Sequence, residues 1–164
     1  MTKTLLTTLL LSISLMTQAE NPDIKTSNEQ FNDWTLTCTE VKDNKTCQAT
    51  QGIANQQGQL VSKLNIIKSA DDKDVIEIAL PLMLDLTVPV AIQVDDNETE
   101  NYPYRLCNNQ ACFVLISGES LLMKQMKKGN KMVVQVQPAT QPGALRLEFS
   151  LKGLTRVVKA LNRE

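Results

Sequence analysis

Histidine is missing from all 164 residues. Its absence removes the commonest general base, the Ser–His and Cys–His nucleophile pairs, and every imidazole metal ligand. Aromatic residues are scarce, with one Trp, two Tyr and three Phe. A core must therefore be built mainly from Leu, Ile and Val. An excess of either charge is also missing. Lys and Arg number 17 against 18 Asp and Glu, a balance that points to no nucleic acid as partner. Past the N-terminal segment no apolar run is long enough to span a bilayer, which takes about 20 residues. The most apolar stretch, 80–94, is broken by Pro81, Asp85 and Pro89. There is no GxSxG, no P-loop and no GxGxxG. Ser120 and Lys124 stand four apart, but a solvated helix face is the plainer reading of that pair. The acidic runs at 71–74 and 95–98 lack calcium-loop spacing. The expectation is no catalytic residue, no metal, no cofactor and no enzymatic activity. The alternative is a periplasmic enzyme or enzyme inhibitor, which would need a concave site lined by titratable groups.

What is present begins with an export pattern. Lys3 is the only charge before Glu20, Leu5–Met16 is apolar, and Thr17-Gln18-Ala19 places small residues at −3 and −1. This is the layout of a signal peptide, residues 1–19, cleaved after Ala19. Its removal takes Lys3 away and shifts the net charge of −1 to −2. Residues 20–30 are polar, aperiodic and contain a proline, and read as a flexible lead-in. Residues 31–164 suit a single domain.

Within that domain a period of two recurs. In DWTLTCTE, Trp34, Leu36 and Cys38 share one face and Thr35, Thr37 and Thr39 the other. Similar runs lie at 46–51, 59–68, 74–80, 88–94, 102–107, 111–116, 131–137 and 144–151, separated by polar turn clusters. Short strands at regular spacing predict an all-β sandwich or barrel. Two segments depart from the pattern. Residues 120–129 read as a short helix stopped by Gly129. Residues 153–164 place Leu154, Val157, Val158 and Leu161 on one stripe of a C-terminal helix, with Thr155 near its start. Packing of that stripe onto the sheet is the plainer reading, and attachment to a membrane surface the alternative.

The four cysteines form two close pairs, Cys38/Cys47 and Cys107/Cys112. Four cysteines allow three connectivities. In an oxidising compartment disulfides are favoured over thiols, and local pairing would staple two hairpins across the turns VKDNK and NNQA. A zinc site fits the eight residues between Cys38 and Cys47 poorly, and no C-x-x-C exists for redox chemistry.

Two surface features could meet a partner. In YPYR, Tyr102 and Tyr104 fall on one strand face, Pro103 and Arg105 on the other. The tyrosines either cover the core beside a disulfide or form an aromatic–arginine contact patch with Arg105. Lys124, Lys127 and Lys128, with Lys131, form a basic cluster that suits an anionic surface partner or a solvated helix end.

FNDWTLTCT (31–39), CQATQ (47–51), ALPLMLDL (79–86), YPYRLCNNQAC (102–112) and SLKGLTRVVKAL (150–161) together resemble the invasion-associated locus B family of exported bacterial proteins. Met83, Pro89 and Ala111 stand where that family tends to have glycine. The resemblance implies an immunoglobulin-like β-sandwich and a location in the periplasm or at the cell surface. It also implies a protein that acts by binding or support, with host-cell interaction as one setting. It brings no catalytic residues.

Overall fold

Alternating apolar residues commit one face of most strands to burial, and the chain satisfies this by stacking two antiparallel sheets. A computed structural model describes residues 24–42 and 44–163; the signal-peptide segment 1–19 lies outside them. The strands are β1 (Ile24–Phe31), β2 (Trp34–Val41), β3 (Asn44–Ala54), β4 (Leu60–Lys68), β5 (Asp74–Leu80), β6 (Val90–Val94), β7 (Glu100–Tyr102), β8 (Leu106–Cys107), β9 (Cys112–Ser117), β10 (Lys131–Val136) and β11 (Leu145–Ser150). The helices are α1 (Leu121–Met126) and α2 (Leu154–Leu161). The larger sheet runs β1-β2-β3-β4-β5-β9-β8 and the smaller β11-β10-β6-β7. The fold is the all-β sandwich with one short internal and one short C-terminal helix that the sequence indicates.

The core lies between the sheets. The larger sheet contributes Trp34, Leu36, Leu64, Ile66, Ile76 and Ile78, and the smaller Val90, Ile92, Met132, Val134 and Phe149, all buried. Leu122, Met123 and Met126 of α1 and the predicted stripe Leu154, Val157, Val158 and Leu161 of α2 complete it. A polar clamp ties the layers. The Gln51 side chain donates to the Ser150 carbonyl (2.9 Å) and accepts from the Ser150 N–H (2.7 Å), and Trp34 Nε1 donates to the same carbonyl (3.1 Å). Buried amide groups of this kind require such partners.

α2 starts at Gly153, whose φ of 98° lies in the left-handed region. A Cβ there would run into the Phe31 carbonyl, so only glycine lets the helix start sit against the β1–β2 turn. Thr155, read as near the helix start, lies inside the first turn, and its hydroxyl donates to the Lys127 carbonyl (3.1 Å).

Three readings of the sequence are corrected. Residues 24–30, taken as part of a flexible lead-in, belong to β1, which pairs with β2 from Ile24↔Val41 to Phe31↔Trp34. Its side chains are almost all exposed, so the strand carries no apolar period to betray it; the backbone ladder makes it. The run 102–107 is two strands in different sheets, because Pro103 has no N–H to continue a ladder. The turn between Cys38 and Cys47 is shorter than VKDNK, since β2 and β3 stay paired to Val41↔Asn44.

Candidate functional site

Both cysteine pairs are directly opposed across neighbouring antiparallel strands. Cys38 pairs with Cys47 between β2 and β3, and Cys107 with Cys112 between β8 and β9. Each pair is a disulfide with Cα atoms 4.0 Å apart. Cys38 and Cys112 point into the core. They staple neighbouring strands of the scaffold.

The tyrosines of YPYR share one side, half-buried, while Pro103 and Arg105 are exposed. Both rings pack against the core. The Tyr102 hydroxyl donates to Glu100 Oε2 (2.7 Å). Burial raises its pKa well above the ordinary phenol value, and the bond to Glu100 adds to the shift. Burial also raises Tyr104, with the nearby Asp85 charge adding to it. A raised phenol pKa makes the folded state hold its proton longer than the unfolded chain does. That contribution is complete below the unfolded value of about 10 and is lost as pH climbs through and past it. We therefore expect alkaline unfolding to begin near pH 10, and Tyr102→Phe to flatten the loss. Denaturant titrations from pH 8 to about 11.5 check it; equal slopes for the two proteins would refute the assignment.

The other displaced groups are exposed carboxylates. Asp85 is lowered by hydrogen bonds from the Thr87 side chain and backbone, and Glu148 by the Arg146 hydrogen bond and then by Lys131. The Ser120 hydroxyl caps α1 by accepting from the Met123 N–H (3.2 Å). The Asp95 carboxylate is occupied by the Asn130 and Lys131 N–H groups. The Asp74 carboxylate lies 3.2 Å from the Lys68 ammonium.

Folding assembles a surface that the sequence holds in two pieces. The Thr155–Lys127 bond locks the end of α1 to the start of α2. Lys127, Lys159 and Arg163 line one shallow concavity together with Thr155 and Asn162. Arg156, Lys159 and Arg163 line the next, with Phe31 and Glu29. Lys124 and Lys128 lie on and just past α1 and are exposed. Among the described residues, none of these six cations is within ion-pair distance of a carboxylate. Arg156, Lys159 and Arg163 lie beside the apolar stripe in the sequence. Their juxtaposition with Lys127 is not legible there, because a single tertiary hydrogen bond and the α2 stripe create it.

A second feature escaped the sequence reading. Leu82, Met83, Leu86 and Val88 of the β5–β6 loop are all exposed, as is Leu106. The loop is pinned by Asp85 N–H to Gln137 O (2.8 Å) and Ala139 N–H to Met83 O (2.8 Å). Val90, directly after the loop, pairs with Tyr102 across β6 and β7, so this apolar end and the Tyr102–Arg105 segment adjoin. Met83 has φ 65°, a left-handed conformation at a position where the family resembled tends to have glycine.

Comparison with known proteins gives a consistent result. A profile of the family described as invasion associated locus B (IalB) protein matches residues 34–162. Invasion protein B homologs from Brucella abortus strain 2308 and from biovar 1 strain 9-941 are each 26% identical over 147 residues. Each alignment covers 89% of this chain and 85% of the relative. The crystal structure of invasion associated protein b from Bartonella henselae superposes with a TM-score of 0.68 at 20% identity, over 82% of this chain and 95% of that one.

Proposed function

Because this chain belongs to the invasion associated locus B family, we propose that it is an exported, non-enzymatic binding protein whose α1–α2 face docks on an anionic surface. The proposal places it in the periplasm or at the cell surface, with host-cell contact as one setting. The observation that carries it is that Lys127, Lys159 and Arg163 line one concavity and Arg156, Lys159 and Arg163 the next, with Lys124 and Lys128 exposed on either side of Lys127 in sequence. Six cations with the Glu29 carboxylate beside three of them leave a positive local potential that attracts dense negative charge. The α2 apolar stripe is buried against the sandwich, so it has nothing left to insert into a bilayer. Binding is therefore electrostatic and superficial. The Tyr102, Tyr104 and Arg105 segment lies elsewhere, beside the apolar β5–β6 loop, and is not part of this face.

Such binding fades as the Debye length contracts with salt. We expect the exported protein to sediment with phosphatidylglycerol-containing vesicles at about 0.05 M salt and to release at about 0.5 M. Each cation near an anionic surface contributes about 1 kcal/mol. The double change Lys127→Glu, Arg163→Glu should therefore weaken binding at least ~10-fold while leaving the melting temperature nearly unchanged. A soluble anionic polysaccharide competing in the same assay distinguishes a general anion surface from a lipid-selective one. Binding that ignores both salt and the charge reversal would overturn the proposal.

A further inference from the structure

We propose that two copies of this chain pair through β1, antiparallel and centred on Ser27, joining their larger sheets edge to edge. The partner is a second copy because β1 is complementary to itself in both hydrogen bonding and charge.

Among the described residues β1 is the outer strand of the larger sheet and has eight residues, against two for β8 at the opposite edge. It carries no proline, and its register with β2 runs without a bulge. A long, regular, exposed edge is the kind that monomeric proteins interrupt, because its unpaired N–H and C=O groups template another strand.

The hydrogen-bonding parity follows from the turn. Asn32 and Asp33 form a two-residue connection, so Phe31↔Trp34 is the hydrogen-bonded closing pair. Alternation then turns the backbone groups of Lys25, Ser27 and Glu29 towards β2, and those of Thr26, Asn28 and Gln30 towards the open edge. Antiparallel self-pairing must match outward groups with outward groups, so its two-fold axis falls on a residue rather than between two. Centring on Ser27 sets Thr26 against Asn28 and Ile24 against Gln30 as hydrogen-bonded pairs. It also sets Lys25 directly opposite Glu29, twice by symmetry. Centring on Asn28 puts Lys25 opposite Phe31, and centring on Thr26 puts Lys25 opposite Ser27. Only the Ser27 register joins opposite charges. Within its own chain Lys25 faces Glu40 across the hairpin, and Glu29 shares a concavity with Arg156, Lys159 and Arg163; the partner adds to these neighbours without displacing them. A two-fold axis perpendicular to the sheet leaves both α2 helices on the same side.

The test is sedimentation equilibrium of the exported protein from about 1 to 500 μM. A dimer is expected. Thr26→Pro removes an outward N–H and fills the edge without touching the β1–β2 ladder, and should be monomeric with an unchanged β spectrum. Lys25→Glu or Glu29→Lys alone should weaken the dimer ~10-fold or more, since each replaces two attractive cross-strand pairs by two repulsive ones. The double exchange Lys25→Glu, Glu29→Lys should restore it. A wild-type monomer throughout the range overturns the proposal, and so does a dimer that survives in folded Thr26→Pro. A double exchange no tighter than the single changes also refutes the register. If Thr26→Pro does not fold, the charge-exchange set decides alone.

Discussion

Trp34→Ala should cost about 3–5 kcal/mol, the range for removing a buried aromatic from a packed core. Trp34 is wholly inaccessible to solvent and stands at the start of β2, where the β1–β2 turn, β11 and α2 converge. Its ring fills the space that joins the two layers at this end. Its polar atom matters less. The Ser150 carbonyl that accepts from Nε1 also accepts from the Gln51 side chain at 2.9 Å, so losing the indole leaves no orphaned acceptor. Trp34→Phe keeps most of the apolar volume and should therefore cost far less, about 1–2 kcal/mol. Urea titration with a constant m value would resolve the two. Similar losses for Ala and Phe would show that the hydrogen bond, and not packing, is what this residue supplies.

The same residue shows what the sequence could reveal. Trp34, Leu36 and Cys38 alternate with threonines, and that period of two states both that a strand exists and which face is buried. The α2 stripe is legible in the same way, at a helical period. β1 is not, because neither of its faces is buried and a ladder between backbones leaves no mark on side-chain polarity. The split at Pro103 was half legible: a missing N–H forbids continuation, but not which sheet receives the next strand. Met83 shows a third case. Where the resembled family tends to have glycine, a methionine holds the left-handed conformation at φ 65°, at a cost of roughly 1 kcal/mol. Two backbone hydrogen bonds from the loop to residues 137 and 139 hold it there. The basic face lay in two separate fragments of sequence, and the Thr155–Lys127 hydrogen bond and the concavity shared by Lys127, Lys159 and Arg163 bring them together.

Cys112→Ser should lower stability by about 2–5 kcal/mol, the usual cost of losing a native disulfide from a small exported domain. Loop entropy alone gives roughly 2–3 kcal/mol for bridges as short as these two, so it does not separate them. What separates them is the structure each bridge holds. Cys38–Cys47 lies within a β2–β3 hairpin of seven residue pairs, which would remain closed without it. Cys107–Cys112 holds β8, whose other pair is Leu106↔Phe113. Arg105 N–H to Phe113 O (2.7 Å) and Asn108 N–H to Ala111 O (2.9 Å) flank it. Without the bridge these few bonds must hold a strand whose own side chains are exposed, and the edge should open locally at low free energy. The serine hydroxyl would also enter a buried position in place of sulfur. The expected result is a lower melting temperature together with faster amide exchange confined to residues 105–113. Cys107 should become reactive towards thiol reagents in the folded protein. Cys47→Ser should instead leave exchange in β2 and β3 close to native while lowering global stability. Non-reducing peptide mapping of the unaltered protein should recover Cys38–Cys47 and Cys107–Cys112 with no free thiol. A cross-linked Cys38–Cys107 or Cys47–Cys112 peptide, recovered with exchange blocked, would overturn the pairing and with it the placement of β8 beside β9.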